Sequence, residues 1–385
     1  MALTTLPTGA FATGSVGTGQ LADGAVTTEK MKADVNFRNI IINGDMSIAQ
    51  RGTSSTGITS NGYYTVDRFE HAINYGTYSH AQSTDVPTGQ GFANSFKLDC
   101  TTSGTPSAGH TLMFRQKFEG QNLQNLKKGT SSAESLTLSF WVKSNKTGTY
   151  ITELFDVDNQ RQISKSYTIN SSDTWEKKII NFDGDTSGTL GNDNGNSMQL
   201  SFWLGAGTQY TSGTLSTTWT SNTNANRAVG QVNFADSTSN EWYITGVQLE
   251  VGTSASDFEF LPHDVNLMRC YRYCVNVIKG NQEDGPANEP IAIGKIGNTD
   301  EFAAIIRLPT EMRANPSVVT NSISGNFYIG AGGNGGLVDS IGSGESLRQT
   351  IELYKASTGH SLTQGYAATI LTANSNSILR AEAEL

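Results

Sequence analysis

The stretch SLTLSFWVKS, residues 135–144, decides the fold class: Leu136, Leu138, Phe140 and Val142 alternate with Thr137, Ser139, Trp141 and Lys143. A period of two sends the first set to one face of a strand and the second to the other. MQLSFWLG, residues 198–205, repeats the pattern, with Met198, Leu200, Phe202 and Leu204 inward and Gln199, Ser201 and Trp203 opposite. EWYITGVQLEVG, residues 241–252, predicts a third core strand, with Tyr243, Val247, Leu249 and Val251 on one face and Trp242 on the other. From residue 37 onward such runs are separated by Gly, Asn, Ser and Thr clusters at the spacing of an antiparallel sandwich. Composition agrees. Of 385 residues 16% are charged and 41 are glycine, so helix surfaces, which need Glu, Lys and Arg, have little material, and the expected class is all-β. The length predicts two or three domains.

Charge and cysteine content narrow the partners. Lys and Arg number 26 against 35 Asp and Glu, a net charge of -9, and no short window is rich in cations, so nucleic acid is not an expected partner. No run of 18 apolar residues is present, which predicts no membrane insertion. MALTTLPTGAFATG, residues 1–14, has neither a basic nor an apolar leader region, so a soluble chain without a secretion signal is expected. Cys100, Cys270 and Cys274 are too few for a disulfide scaffold and predict free, buried thiols.

The first residues carry a repeat of period ten: ATGSVGTGQL, residues 12–21, aligns with ADGAVTTEKM, residues 22–31. Val16, Leu21, Val26 and Met31 are its apolar positions, too sparse for one chain to bury but sufficient if two or three copies wind together on an axis. The same composition also suits a disordered tail. One helix is predicted over about 264–277, after Pro262, where Leu267, Cys270, Tyr271, Cys274 and Val275 recur at three and four residues. GNQEDGPANEP, residues 280–290, reads as a boundary, followed by about a hundred residues of β texture.

Three motifs in order carry a family resemblance. RNIIINGDMSIAQRG, residues 38–52, then YYTVDRFEH, residues 63–71, and then YITGVQLEVG with FEFLPHDVNLMRCYRYC, within residues 243–274, resemble a sandwich domain of bacteriophage tail fibres and related virion appendage proteins. LPTEMRANPSV, residues 308–318, and AEAEL, residues 381–385, look like the β-domains attached after it, and the decapeptide repeat is similar to fibre-shaft segments. Residues 72–134 and 319–380 match in texture only. The resemblance implies residues 1–36 as an attachment and trimerisation segment, 37–279 as a jelly-roll sandwich ending in a short helix, and 280–385 as a distal β-domain. It further implies a virion structural protein, commonly a homotrimer, assembled in the host cytoplasm, with a tail or adaptor protein at its N-terminus and the bacterial surface at its far end. Fold-level likeness implies architecture better than activity.

The chemistry-bearing constellations are weak. His71, His80, His110, His263 and His360 are not spaced as zinc ligands, and neither metal nor cofactor is expected. Asp183, Asp185 and Ser187 before Gly188 resemble half a calcium loop, but Asn194 stands where the bidentate carboxylate belongs. Residues 330–336 contain G-x-G-x-x-G, yet Gly342 and Gly344 interrupt the helix a pyrophosphate would need, so a loop tip is expected. No G-x-S-x-G elbow occurs, and Ser343 has no base nearby in sequence, so catalysis is not expected. Aromatics are the remaining signal. Trp141, Trp203 and Trp242 fall opposite the aliphatic rows, while Tyr210 and Trp219 sit in a polar loop; indole faces stack on sugar C–H faces, making Tyr210, Trp219, Trp141 and Trp203 glycan-binding candidates, the loop pair favoured. A shifted register, a covering loop or a trimer mate would equally account for the strand tryptophans. The expected function is non-catalytic, multivalent attachment to a cell-surface glycan; a capsid-decorating fibre without a receptor and a surface-polysaccharide depolymerase are the alternatives.

Overall fold

The architecture follows from a computed structural model that describes residues 37–278, 290–297, 301–320, 327–338, 341–355, 358, 362–373 and 377–385. Val16, Leu21, Val26, Met31 and the 280–289 boundary lie outside the described residues. The chain is all-β, as the alternating runs require. The sandwich strands are β1 (Ser54–Ile58), β2 (Glu70–Ile73), β3 (Thr77–Ser83), β4 (Ser95–Thr102), β5 (Thr111–Glu119) and β6 (Leu136–Ser144), then β7 (Gly148–Asp156), β8 (Arg161–Ile169), β9 (Glu176–Phe182), β10 (Asn196–Ala206), β11 (Thr220–Ser221) and β12 (Glu241–Val251). They pair antiparallel into two six-stranded sheets, ordered β1-β3-β4-β12-β6-β9 and β11-β8-β7-β10-β5-β2. The chain crosses between sheets repeatedly, in jelly-roll fashion, and the inward residues of both meet in one core that includes Leu138, Phe140, Leu154, Phe202 and Leu249.

The third predicted strand is right in extent and wrong in one half of its register. Between Thr245 and Gln248, β12 advances three residues while β6 advances two, from Trp141 to Ser139. This bulge sits at Gly246, whose φ of +62° is the left-handed conformation that favours glycine. Val247 and Leu249 therefore face the core, but upstream of the bulge it is Trp242 and Ile244 that do, and Tyr243 points outward. Trp242 is a core residue and not a surface aromatic.

A short helix α1 (Thr208–Thr211) and the predicted helix, α2 (His263–Tyr271), are the α-helical elements among the described residues. Asp264 lies in the first turn of α2, where a carboxylate complements the helix dipole. The helix is shorter than expected, because Cys274–Ile278 forms strand β13 against β22 (Leu379–Glu382). The run Val275-Asn276-Val277-Ile278 is rich in β-branched residues, and a partner strand distant in sequence decides its state. Cys100, Cys270 and Cys274 are free and buried, as expected.

The remaining strands are β14 (Pro290–Ile296), β15 (Phe302–Arg307), β16 (Ser317–Thr320), β17 (Phe327–Ala331), β18 (Asn334–Val338), β19 (Gly342–Leu347), β20 (Thr350–Lys355) and β21 (Ala367–Thr372). A three-stranded sheet, β13-β22-β16, and a seven-stranded one, β18-β17-β21-β14-β15-β20-β19, enclose a second core that includes Phe302, Phe327, Ile351 and Ile370. The glycine-rich motif is a hairpin: Gly332 and Gly333, both at positive φ, make the two-residue turn between β17 and β18. It starts no helix.

Asn39 to Leu385 make one compact unit, joined by buried charge. Glu119 at the end of β5 is fully buried; Arg272 grips it with two 2.6 Å bonds, and the Tyr273 hydroxyl donates to it as well. Burial pushes the Glu119 carboxyl up, but these donors outweigh it and hold it below the usual carboxylate range. Arg51 reaches Glu382 at 3.0 Å and Glu384 at 3.2 Å, while Arg68 pairs with Glu384 and lies 3.4 Å from the centre of the Tyr273 ring.

Candidate functional site

Strand alternation places a set of aromatic and charged side chains on the outer face of the β6-containing sheet. With Phe140 and Val142 committed to the core, Trp141 and Lys143 must point outward. The ladder sets Tyr243 of β12 opposite Lys143 and, on its other side, opposite Lys97 of β4. Trp141 stands between Thr245 and Lys177 of β9. Trp175 immediately precedes β9 and meets the Tyr243 ring edge-on, with centroids 6.2 Å apart.

Charges brace these rings. The Lys143 ammonium lies 4.3 Å from the centre of the Tyr243 ring and 5.6 Å from that of Trp175, in the range of cation–π attraction. Asp85 pairs with the same ammonium and accepts a 2.9 Å bond from Trp175 Nε1. Burial pulls the Asp85 carboxyl upward, but the bonds from Lys143 and Trp175 outweigh it, keeping Asp85 below its ordinary value and ionised. Lys97 bonds Glu241 and Asp99, each at 2.9 Å, and the Tyr243 hydroxyl donates to Glu241 at 2.8 Å. Three cations, Lys97, Lys143 and Lys177, thus share the face with three carboxylates, Asp85, Asp99 and Glu241. Trp141 and Trp175 are half-buried, whereas Tyr243 is buried, with Lys143, Lys97 and Trp175 against its ring. A rigid aromatic platform ringed by donors and acceptors, and balanced in charge, can stack and hydrogen-bond a neutral polyhydroxylated ligand.

The other sequence candidates lie elsewhere. Trp203 does point away from the core, as the alternation of β10 requires, but on the second sheet, where it is fully buried under Ala228, Tyr210 and Leu215. Its Nε1 donates to Glu153 at 3.2 Å, and Arg227 clamps that carboxylate at 2.8 and 2.9 Å. No ring face is left for a ligand, which corrects its assignment as a binding residue. Tyr210 belongs to that cover, with its ring 5.4 Å from Trp203. Trp219 packs half-buried against the core, donates from Nε1 to the Asp183 carbonyl at 2.7 Å and carries Lys128 at 5.1 Å over its ring. These two loop aromatics are half-buried, and neither lies on the sheet face that carries Trp141. Asp185 is held by Arg161 at 2.7 and 2.9 Å and by Lys128 at 2.8 Å, so cationic side chains occupy the half calcium loop.

Sequence reasoning missed Trp175 and Tyr243. Trp175 was within reach: counting back in twos from Ile179 through Lys177 puts it on the outer face of β9. Tyr243 was not, because its face depends on the bulge at Gly246.

No protein-family model matches the sequence, and no curated protein matches it. Among solved structures, the enzymatically active domain of tailspike protein 4 of bacteriophage CBA120 is similar at 14% identity and a TM-score of 0.29, over 56% of this chain and 22% of that one. The module TmCBM61 in complex with β-1,4-galactotriose is similar at 9% identity and a TM-score of 0.30, over 56% of this chain and 100% of that one. A family 11 carbohydrate-binding module from Clostridium thermocellum follows at 12% identity and a TM-score of 0.26, over 53% of this chain and 98% of that one. This chain therefore spans about a fifth of the tailspike domain and all or nearly all of the two modules. Similarity at this level assigns no function.

Proposed function

We propose that this protein is a non-catalytic adhesin of a virion appendage, and that it binds a neutral surface glycan on the outer face of the β6–β12 sheet. The observation that carries the glycan reading is the pair of half-buried indoles, Trp141 and Trp175, on one sheet face beside Lys143, Lys97, Asp85 and Glu241, with buried Tyr243 as their support. Sugar rings offer apolar C–H faces and peripheral hydroxyls, and this surface offers stacking planes with charged donors and acceptors around them. Trp141 projects from a sheet strand and Trp175 is fixed by its hydrogen bond to Asp85, so little side-chain entropy is lost on binding. One such site binds weakly; several copies on one fibre convert weak contacts into firm attachment. The appendage reading is supported by the three ordered motifs of residues 38–52, 63–71 and 243–274.

Calorimetric titration with purified host surface polysaccharide tests this. W141A and W175A should each weaken binding at least tenfold, whereas replacing Trp219 should leave it within twofold. Salt between 50 and 300 mM should change affinity little, because no net charge is neutralised. Unaltered affinity in W141A/W175A would remove the site, and release of reducing ends from the polysaccharide would overturn the non-catalytic reading.

A further inference from the structure

Lys128 lies in the segment between β5 and β6, and its ammonium meets Asp156, the last residue of β7, and Asp185, just beyond β9. The three side chains are 5%, 0% and 2% exposed. Lys128 Nζ pairs with Asp156 Oδ2, lies 2.8 Å from Asp185 Oδ2, and donates to the carbonyls of Ser187 at 3.0 Å and Gly188 at 2.9 Å. The Trp219 ring stands 5.1 Å from it, and Arg161 holds Asp185 by bonds of 2.7 and 2.9 Å. Asn159, in the turn after β7, gives Asp156 Oδ1 two donors, its backbone N–H at 2.9 Å and its Nδ2 at 3.2 Å, and Nδ2 also reaches Oδ2 at 2.9 Å. Two cations and two carboxylates balance. What distinguishes the cluster from the other ion pairs of the sandwich is its chemistry: a primary amine is held against a carboxyl group, with a second carboxylate on the same nitrogen, away from bulk water.

We propose that Lys128 and Asp156 join covalently, Nζ to Cγ, in an isopeptide bond that the folded chain forms on itself. One proton of the Lys128 ammonium passes to Asp156 Oδ2, which converts the buried ion pair into a neutral amine and a neutral carboxylic acid. The freed lone pair of Nζ bonds to Cγ, and the C=O electron pair moves onto Oδ1. Asn159 already places two donors on that oxygen, so the developing charge meets preorganised hydrogen bonds. Asp185 takes a proton from the new nitrogen and delivers it to Oδ2; the Cγ–Oδ2 bond breaks, one water leaves, and the C=O bond re-forms. An ammonium and a carboxylate have become one amide and one water, with no oxidant, cofactor or second substrate consumed. Two features drive the step. Groups held in contact by a fold react at effective molarities of about 10⁵ M or more, and the amide replaces two buried charges whose desolvation the ion pair only partly offsets. The bond links positions 28 apart and closes the open end of β6 and β7, whose other ends the chain itself connects through residues 145–147. Because β6 and β7 belong to different sheets, the resulting ring ties one sheet of the sandwich to the other.

Intact-mass measurement and peptide mapping of the full chain, purified in its folded state, test the bond. The chain should be lighter than its sequence by the mass of one water. Tryptic digestion should give one branched peptide in place of the two linear peptides that hold Lys128 and Asp156, because trypsin does not cut after an acylated lysine. K128R keeps the cation, but its guanidinium stays protonated and cannot attack, so this variant should keep the native far-ultraviolet spectrum and show no loss of water. D185N, which lacks the proton carrier, should likewise keep its full mass. A salt bridge that is only structural would move none of these masses. A natively folded unaltered chain at full sequence mass, a loss of water that persists in K128R, or a branch through another lysine would each overturn the bond, and a loss of water in D185N would overturn the proton route. Should K128R not fold, the peptide map of the unaltered chain decides: a branch at Lys128 and Asp156 establishes the bond, and two linear peptides refute it.

Discussion

His71 and His80 show how a single contact can set a property of the whole protein. They come from β2 and β3, on different sheets, and meet with Nε2 of His80 2.7 Å from Nδ1 of His71. Tyr78 packs edge-on against His71, and Tyr64 and Phe96 against His80, so the pair has an aromatic wall. Burial pushes His71 down to about 3 and His80 well below its ordinary value, the latter helped by its neighbour's charge. Both rings are thus neutral in the folded protein. The unfolded chain takes up these protons near pH 6.5, whereas in the folded one His71 does so only near 3 and His80 well below its ordinary value, so the stabilisation is complete above 6.5 and is lost progressively as pH falls below it. Denaturant melts should show the unfolding free energy dropping by about 2 kcal/mol for each of the two histidines between pH 6.5 and 4.5, before most carboxylates titrate. H71F/H80F should flatten that slope, and an equally steep one would place the proton uptake elsewhere.

At the scale of one strand, the bulge in β12 assigns the two faces. A Cβ on Gly246 would lie 2.5 Å from Cζ of Phe92, and the φ of +62° is itself unfavourable for alanine. G246A should therefore cost about 2 kcal/mol, through strain and displacement of Phe92. Because the bulge turns Tyr243 outward, the same variant should weaken glycan binding severalfold, which titration beside a denaturant melt can separate from stability. A normal melt with normal binding would show that the strand tolerates a regular register.

Across the whole molecule, the sandwich and the strands after α2 are held by buried ionic contacts in addition to apolar packing. Leaving Arg272 and Tyr273 without Glu119 strands a cation at the joint, which typically costs about 3 kcal/mol or more. E119A should lower the melting temperature and split a single calorimetric transition into two, as each core unfolds on its own. One shifted but undivided transition would mean that β13, paired with β22 and following directly from α2, suffices to couple them.

Alternation in residues 135–144 and 198–205 determined the all-β class, the core strands and the outward placing of Trp141, because a strand's period of two is a local property of the backbone. Burial of the three cysteines and the start of α2 after Pro262 were legible for the same reason: a short window contains the whole signal. Three things were not. The end of α2 rested on pairing with a strand a hundred residues away, the face of Tyr243 on one extra residue at Gly246, and the covering of Trp203 on a loop that returns over the second sheet to bring Tyr210 and Arg227 onto it. Each is a long-range contact that outbids local pattern, and a sequence window records nothing of its partner. The aromatic platform belongs to the same class: its residues come from β6, β12 and the approach to β9, and only sheet order makes them neighbours.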